Sequence, residues 1–314
     1  MVEIIALNSI DELQAPQVGG KAANLGRLTS GGFLVPPGVV VPVEAYEQFL
    51  DRDGLRERIE RALASVDLQD EAAVENASQI IKAFFRAENA DPLSGALDRS
   101  ISDIDPDALW SVRSSAVAED LANASFAGQQ DTYLNVSRKD VPEQVRRCWA
   151  SYWNSRAIAY RHRANVPHLG TGMAVIVQRM VDARSSGIMF TTDPVSGKKD
   201  RIIIESSWGL GESIASGIVT PDRFVCEKRR LKLVERTINR KVTGIFMSAD
   251  GDRSVKIDDR EQTSPSLTSD EMGAVARAGK RIEAFFGSPQ DVEWALEGDE
   301  VFILQSRPIT KSDR

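Results

Sequence analysis

Apolar and polar positions follow one spacing in the first half of the chain and another in the second. Val2 to Leu7 reads as a short strand. Gly19-Gly20-Lys21 opens a helical stretch through Leu28 that Gly31-Gly32 closes, and β-branched Val39-Val40-Val41 reads as a strand. From Val43 to about Ser102 the period is helical, with Leu55, Ile59 and Leu63 on one face and Ile80, Ile81, Phe84 and Phe85 on another. Leu109 to Arg113 alternates like a strand. Ser114 to Gln130, rich in Ser, Ala and Gly, reads as a long loop. Thr132 to Val136 resumes a strand, and Val141 to Ala164 reads as a helix that is basic on one face.

Beyond Met173 the pattern is mainly β. Strands are predicted at Met173 to Val177, Ser186 to Thr191, Arg201 to Glu205, Arg223 to Glu227 and Lys232 to Thr237, with a helix over Ser269 to Phe286. A hairpin joins Val292–Leu296 to Val301–Leu304 through Glu297-Gly298-Asp299-Glu300. A break near residues 170–190 thus separates a mixed lobe, 1–180, from a β-rich lobe, 181–314. The expected class is α+β, with two lobes and a cleft between them.

Composition narrows the chemistry. The 314 residues are 42% hydrophobic and 27% charged, which suits a folded globular chain. The net charge of −7 argues against a general nucleic-acid binder. Two distant cysteines, Cys148 and Cys226, exclude a CxxC zinc or redox motif and predict a reduced, cytoplasmic setting. No apolar run is long enough for a bilayer, and the acidic N-terminal stretch lacks the basic start of a secretory signal. Gly20-Lys21 precedes Ala22 without the upstream glycine of a Walker A loop. GxGxxG, HExxH, EF-hand and GxSxG patterns are absent. With only His162 and His168, both expected at the surface, neither a three-histidine metal site nor a histidine triad fits.

Charged or amide groups meet tight backbone in four segments. Lys21, in a first helical turn, sits at the positive dipole end, where an anion would relieve it. Arg113 ends a strand and offers a planar fork, followed by the glycine loop that holds Gly128 and leads to Thr132. Gln178 follows an apolar strand where one lobe passes into the next, and a polar residue with exposed backbone there can hydrogen-bond a purine edge. Glu293 is expected near Leu304 and Gln305 across the hairpin, an acid–amide pair suited to Mg²⁺, with Arg307 adding positive charge. Taken singly, these have plainer readings: a solvent-facing lysine, a surface loop, a strand end and a hairpin salt bridge. Together they offer cations, an acid–amide pair and a glycine loop without a nucleophile, which favours Mg-nucleotide binding and phosphoryl transfer.

The stretches GGKAANLGRL, WSVRSSAVAEDLANASFAGQQDTYLNV, VIVQRMV, SGIMFTTDP, WGLGESIASG and DVEWALEGDEVFILQSRPIT resemble the nucleotide-binding region of the dikinase family. That family includes phosphoenolpyruvate synthase, pyruvate phosphate dikinase and rifampicin phosphotransferase. The resemblance covers about residues 3 to 310 and implies an ATP-grasp fold, two lobes clasping ATP. Carried over by motif, it implies that Lys21, Arg113 and Arg307 contact phosphates. It implies too that Gly128 and Thr132 belong to the cradling loop, that Gln178 sits at the adenine end, and that Glu293 and Gln305 hold Mg²⁺. The motif from Trp208 to Glu212 is assigned only packing or loop ordering. The implied reaction splits ATP to AMP and passes a phosphoryl group through a histidine to an acceptor such as pyruvate or rifampicin. That histidine lies on a swivelling domain and the acceptor on a third, in the parent chain or as separate proteins. No nucleic acid or membrane is implied. Neither His162 nor His168 stands in a phosphohistidine-like motif. The rival is a stand-alone ATP-grasp ligase or kinase that activates a small acid directly.

Overall fold

The computed structural model describes residues 2–87, 93–116, 131–248, 251 and 253–309. Helices and antiparallel strands are both present, as the α+β expectation requires. The chain separates into two compact units. The first comprises Met1–Gly26 and Pro37–Met180, the second Arg27–Pro36 and Val181–Arg314.

The first unit holds strands β1 (Ile5–Ala6), β2 (Gly38–Val41), β3 (Trp110–Ala116), β4 (Thr132–Val136) and β5 (Met173–Arg179). Among the described residues they form one antiparallel sheet in the order β1-β2-β5-β3-β4. Its helices are α1 (Ala15–Ser30, which runs on into the second unit's segment), α2 (Val43–Leu50), α3 (Leu55–Ala64), α4 (Glu71–Ala87), α5 (Ser94–Ser102), α6 (Val141–Ser151) and α7 (Ser155–Arg163). The period-2 alternation of β3 divides its side chains. Trp110, Val112 and Ala116 enter the core with Val39, Val41, Val175 and Val177, beneath the helices. That core is aromatic: Phe49 packs on Trp149 at 5.2 Å between ring centroids and on Phe85 at 5.5 Å. The Trp153 indole donates to the Tyr46 hydroxyl at 2.9 Å, satisfying a polar atom that burial would otherwise penalise.

Three expectations are corrected here. Ser114 to Ala116, expected as loop, continue β3, because their backbone keeps the ladder with Val175, Ala174 and Met173 of β5. The helix expected over Val141 to Ala164 is two, α6 and α7, with Tyr152–Asn154 between them. His168, expected at the surface, is partly buried, and its Nδ1 accepts a hydrogen bond from Arg161 Nε at 3.3 Å. His162 is exposed as expected.

The second unit holds β6 (Ser185–Phe190), β7 (Arg201–Trp208), β8 (Asp222–Glu227), β9 (Lys232–Thr237), β10 (Thr243–Phe246), β11 (Arg253–Lys256), β12 (Gln290–Glu297) and β13 (Glu300–Pro308), with helices α8 (Glu212–Ala215) and α9 (Ser269–Phe286). The main sheet runs β13-β12-β6-β7-β8-β9, all antiparallel, and β10 pairs with β11. Helix α9 has the expected boundaries; Thr268 and Glu271 form a reciprocal capping box at its start. It covers one face of the sheet: a Cβ on Gly279 would meet Met189 Sδ at 2.4 Å, and Cys226 Sγ lies 3.0 Å from Met272 Sδ. Val292 and Ile204, the cross-strand partners of Met189, share that face and are fully buried. The opposite face, one residue along each strand, carries Glu293, Ile188 and Glu205. Among the described residues no helix is long and apolar enough to cross a membrane.

Candidate functional site

In the first unit the polar residues gather on the face of the sheet opposite the aromatic core. Ser111, Arg113 and Ser115 alternate along β3; Gln178 stands opposite Ser111 and Thr132 opposite Arg113. Helix α1 reaches this face through Gly19, whose φ of 74° and ψ of 163° break the helical run just before Gly20. A Cβ at Gly19 would lie 2.3 Å from the Ser115 carbonyl oxygen, so only glycine allows the approach. The closeness is used at once. Ala22 N donates to Ser115 Oγ at 3.2 Å, satisfying an amide of the first turn, and Lys21 Nζ donates to the Ser114 carbonyl at 3.4 Å. Arg113, expected at a strand end, is thus the middle residue of β3, with Thr132 opposite it and Lys21 anchored to the next residue along.

Gln178 requires a correction. It was expected just beyond an apolar strand with its backbone open, but β5 extends through Arg179 and Gln178 is 2% exposed. Its backbone pairs with Gly38 and Ser111, and its carbonyl accepts from Ser111 Oγ at 3.2 Å. Gly128 lies outside the described residues.

In the second unit the hairpin turns on Gly298-Asp299, with Glu297 and Glu300 as its closing pair. Gln305 stands directly opposite Glu293. Trp294 pairs with Ile303, so Leu304 is the extra residue of a β-bulge. Two residues along, Arg307 stands opposite Asp291, and its Nε and Nη2 both reach Asp291 Oδ2, at 2.9 and 2.8 Å. Asp291, which the sequence reading left without a role, orients Arg307; the register implies this once the bulge is known. The end of the hairpin is fixed by Ser306 Oγ donating to Gln290 Oε1 at 2.8 Å and by Gln290 N donating to Thr191 Oγ1 at 2.8 Å.

The motif from Trp208 to Glu212 is clamped by its own unit. Gly209, with φ 76°, approaches Ile245 so closely that a Cβ would sit 2.1 Å from its carbonyl oxygen. Leu210 N donates to that carbonyl at 2.7 Å, Ser186 Oγ donates to the Gly209 carbonyl at 2.6 Å, and Trp208 Nε1 donates to the Glu261 carbonyl at 3.2 Å.

Among the described residues no group of three or more His, Cys, Asp or Glu is placed to hold a metal. The donor set that remains is Glu293 with Gln305, one carboxylate and one amide oxygen side by side. It suits Mg²⁺, which takes few protein oxygens and completes its shell with phosphate and water. Thiol chemistry has no support here. Both cysteines are buried; burial pushes the Cys148 thiol well above its usual range and Cys226 up to about 11.

Residues 15–314 match the family model described as the pyruvate phosphate dikinase AMP/ATP-binding domain, and the chain belongs to that family. It is 42% identical over 322 residues to a protein of Methanothermobacter thermautotrophicus named "Probable phosphoenolpyruvate synthase", covering 99% of this chain and 46% of that protein. It is 39% identical to the phosphoenolpyruvate synthase of Aeropyrum pernix, covering 98% of this chain and 42% of that one. It is 41% identical to the rifampicin phosphotransferase of Streptomyces sviceus, covering 98% and 36%. The chain thus spans less than half the length of these relatives. A D-alanine–D-alanine ligase structure from Helicobacter pylori aligns at 10% identity and a TM-score of 0.30, over 76% of this chain and 54% of that one. A likeness so slight leaves the assignment resting on the family match.

Proposed function

We propose that this chain is the ATP-binding, phosphoryl-donating part of a dikinase-type phosphotransferase with an ATP-grasp fold. ATP is converted to AMP, and a phosphoryl group passes to a histidine on another domain or protein and then to an acceptor such as pyruvate or rifampicin. The observation that carries this reading is the Glu293–Gln305 pair with Arg307 two residues further on, in a chain of the pyruvate phosphate dikinase AMP/ATP-binding family. Glu293 and Gln305 would hold Mg²⁺, which neutralises phosphate charge. Lys21, Arg113 and Arg307 bind phosphoryl oxygens and stabilise the charge that develops as the group leaves. Thr132, at the start of β4, and Gly128 contact the phosphates as well. Gln178 serves the adenine through its side-chain amide, its backbone being engaged in the sheet. The two free thiols support a cytoplasmic setting.

The test supplies the chain with Mg-ATP and a histidine-bearing domain of one of the relatives. AMP and a phosphorylated histidine are expected. ADP formed with a small-acid acceptor alone would overturn the reading in favour of a stand-alone kinase or ligase.

A further inference from the structure

The ladder of the second unit's sheet aligns five side chains in a row. Gln305 stands opposite Glu293, Glu293 opposite Ile188, Ile188 opposite Glu205, and Glu205 opposite Arg223. All five are partly exposed and lie on the face that α9 leaves uncovered. Arg223 is engaged with Glu235 at 3.5 Å. Among the described residues, the Glu205 carboxylate makes no hydrogen bond or ion pair. Two residues along β7 on the same face, Ser207 is fully buried and its hydroxyl has no partner. A carboxylate and a buried hydroxyl left unpaired on one strand face await hydrogen-bonding groups from outside the sheet.

The neighbours decide which groups those are. Glu205 has Ile188 and Arg223 beside it across the strands, and Ile203 and Ser207 two residues away along β7, so the lone Ser207 hydroxyl is the one further side-chain oxygen among these neighbours, and the Arg223 cation stands where a metal ion would need another donor. A phosphate would be repelled by its charge. What remains is a neutral donor, and a vicinal diol offers two O–H groups to one carboxylate. Glu205 lies two strands from Glu293, about 10 Å at the usual strand spacing. In a nucleotide whose polyphosphate lies at Glu293 and Gln305, the ribose is the next group along. Carboxylates bind ribose hydroxyls in other nucleotide folds.

We infer that Glu205 accepts hydrogen bonds from the ribose hydroxyls of the bound nucleotide and makes the site selective for ribonucleotides over 2′-deoxyribonucleotides. The inference rests on the proposed ATP site. Calorimetry of the 314-residue chain with Mg-ATP and with Mg-2′-deoxy-ATP tests it. The wild-type chain should bind ATP at least about tenfold more tightly than the deoxy analogue, as loss of a hydrogen bond to a charged group implies. Glu205→Ala should weaken deoxy-ATP, which keeps the 3′ hydroxyl, and weaken ATP by about tenfold more than that, so that the preference disappears. A thermal melt matching wild type checks that the variant is folded. Equal binding of the two nucleotides by wild type, or an equal loss of both in Glu205→Ala, would overturn the role of Glu205 and leave the ATP site standing. No binding of ATP by wild type would instead overturn the proposed function itself.

Discussion

Glu293 and Gln305 face each other across the β12–β13 ladder, one residue before the bulge that leaves Leu304 unpaired. The bulge re-aims the strand at the point where the acid and the amide meet, the kind of place where sheets present functional side chains. Glu293→Ala should abolish the Mg²⁺ dependence of ATP binding while the melting temperature stays near wild type, since the side chain lies on the uncovered face. Titrating ATP with and without Mg²⁺ checks this; an unchanged Mg²⁺ effect in the variant would remove Glu293 from the metal site.

Lys21 is anchored to β3 through the Ser114 carbonyl, so its ammonium is positioned before any ligand arrives. Lys21→Ala should slow AMP formation by about 10²–10³, the usual cost of one lost electrostatic contact in a transition state. Turnover in the reconstituted system is the measurement, and near wild-type rates would refute the role.

Asp222 and Lys241 form an ion pair at 2.7 Å that is wholly buried on both sides. Asp222 also accepts from Asn239 N, Ser266 N and Ser266 Oγ, and Ser266 Oγ contacts Ser206 Oγ. Removing one partner strands the other charge without water. Lys241→Met should therefore destabilise the fold by about 3–5 kcal/mol, whereas replacing both partners by apolar residues should cost less. Denaturant unfolding of the single and double variants tests this, and additive losses would contradict it.

His168 must keep Nδ1 unprotonated to accept from Arg161, and burial depresses its pKa to about 4 from the ordinary 6.5. Above pH 6.5 folded and unfolded chains are both neutral at this residue. Between pH 6.5 and about 4 the unfolded chain binds a proton that the folded one refuses, so stability falls as the pH falls. His168→Gln, whose amide oxygen can accept the same bond, should flatten this part of the melting-temperature profile. Parallel profiles for the two proteins would exclude the mechanism.

Much of the second unit was legible. A Gly-containing two-residue turn between alternating runs specified the hairpin, and capping residues bounded α9. Gln178 was misread because apolar periodicity stops at Val177, whereas backbone pairing with Gly38 and Ser111 continues. The β10–β11 hairpin escaped notice because Arg253–Lys256 is exposed throughout and shows no alternation. Among the site residues, types and spacing pointed to Lys21, Arg113, Glu293 and Gln305. The bond between Arg307 and Asp291 depends on a register shift that no local pattern announces. His168 was misplaced because its burial follows from the fully buried Arg161 guanidinium stacked 3.9 Å from the Tyr152 ring, a contact made through tertiary packing.

The Leu34 carbonyl accepts a hydrogen bond from Ile303 N, and Arg27–Pro36 belongs with the later half of the chain. During synthesis, that early stretch emerges long before the strand it joins exists. Closing so wide a circuit is slow, and its apolar residues meanwhile stand open to improper partners. Arg27 and Phe33 of that stretch pack on Phe285 of α9, so a nascent chain halted short of α9 would hold an orphaned segment.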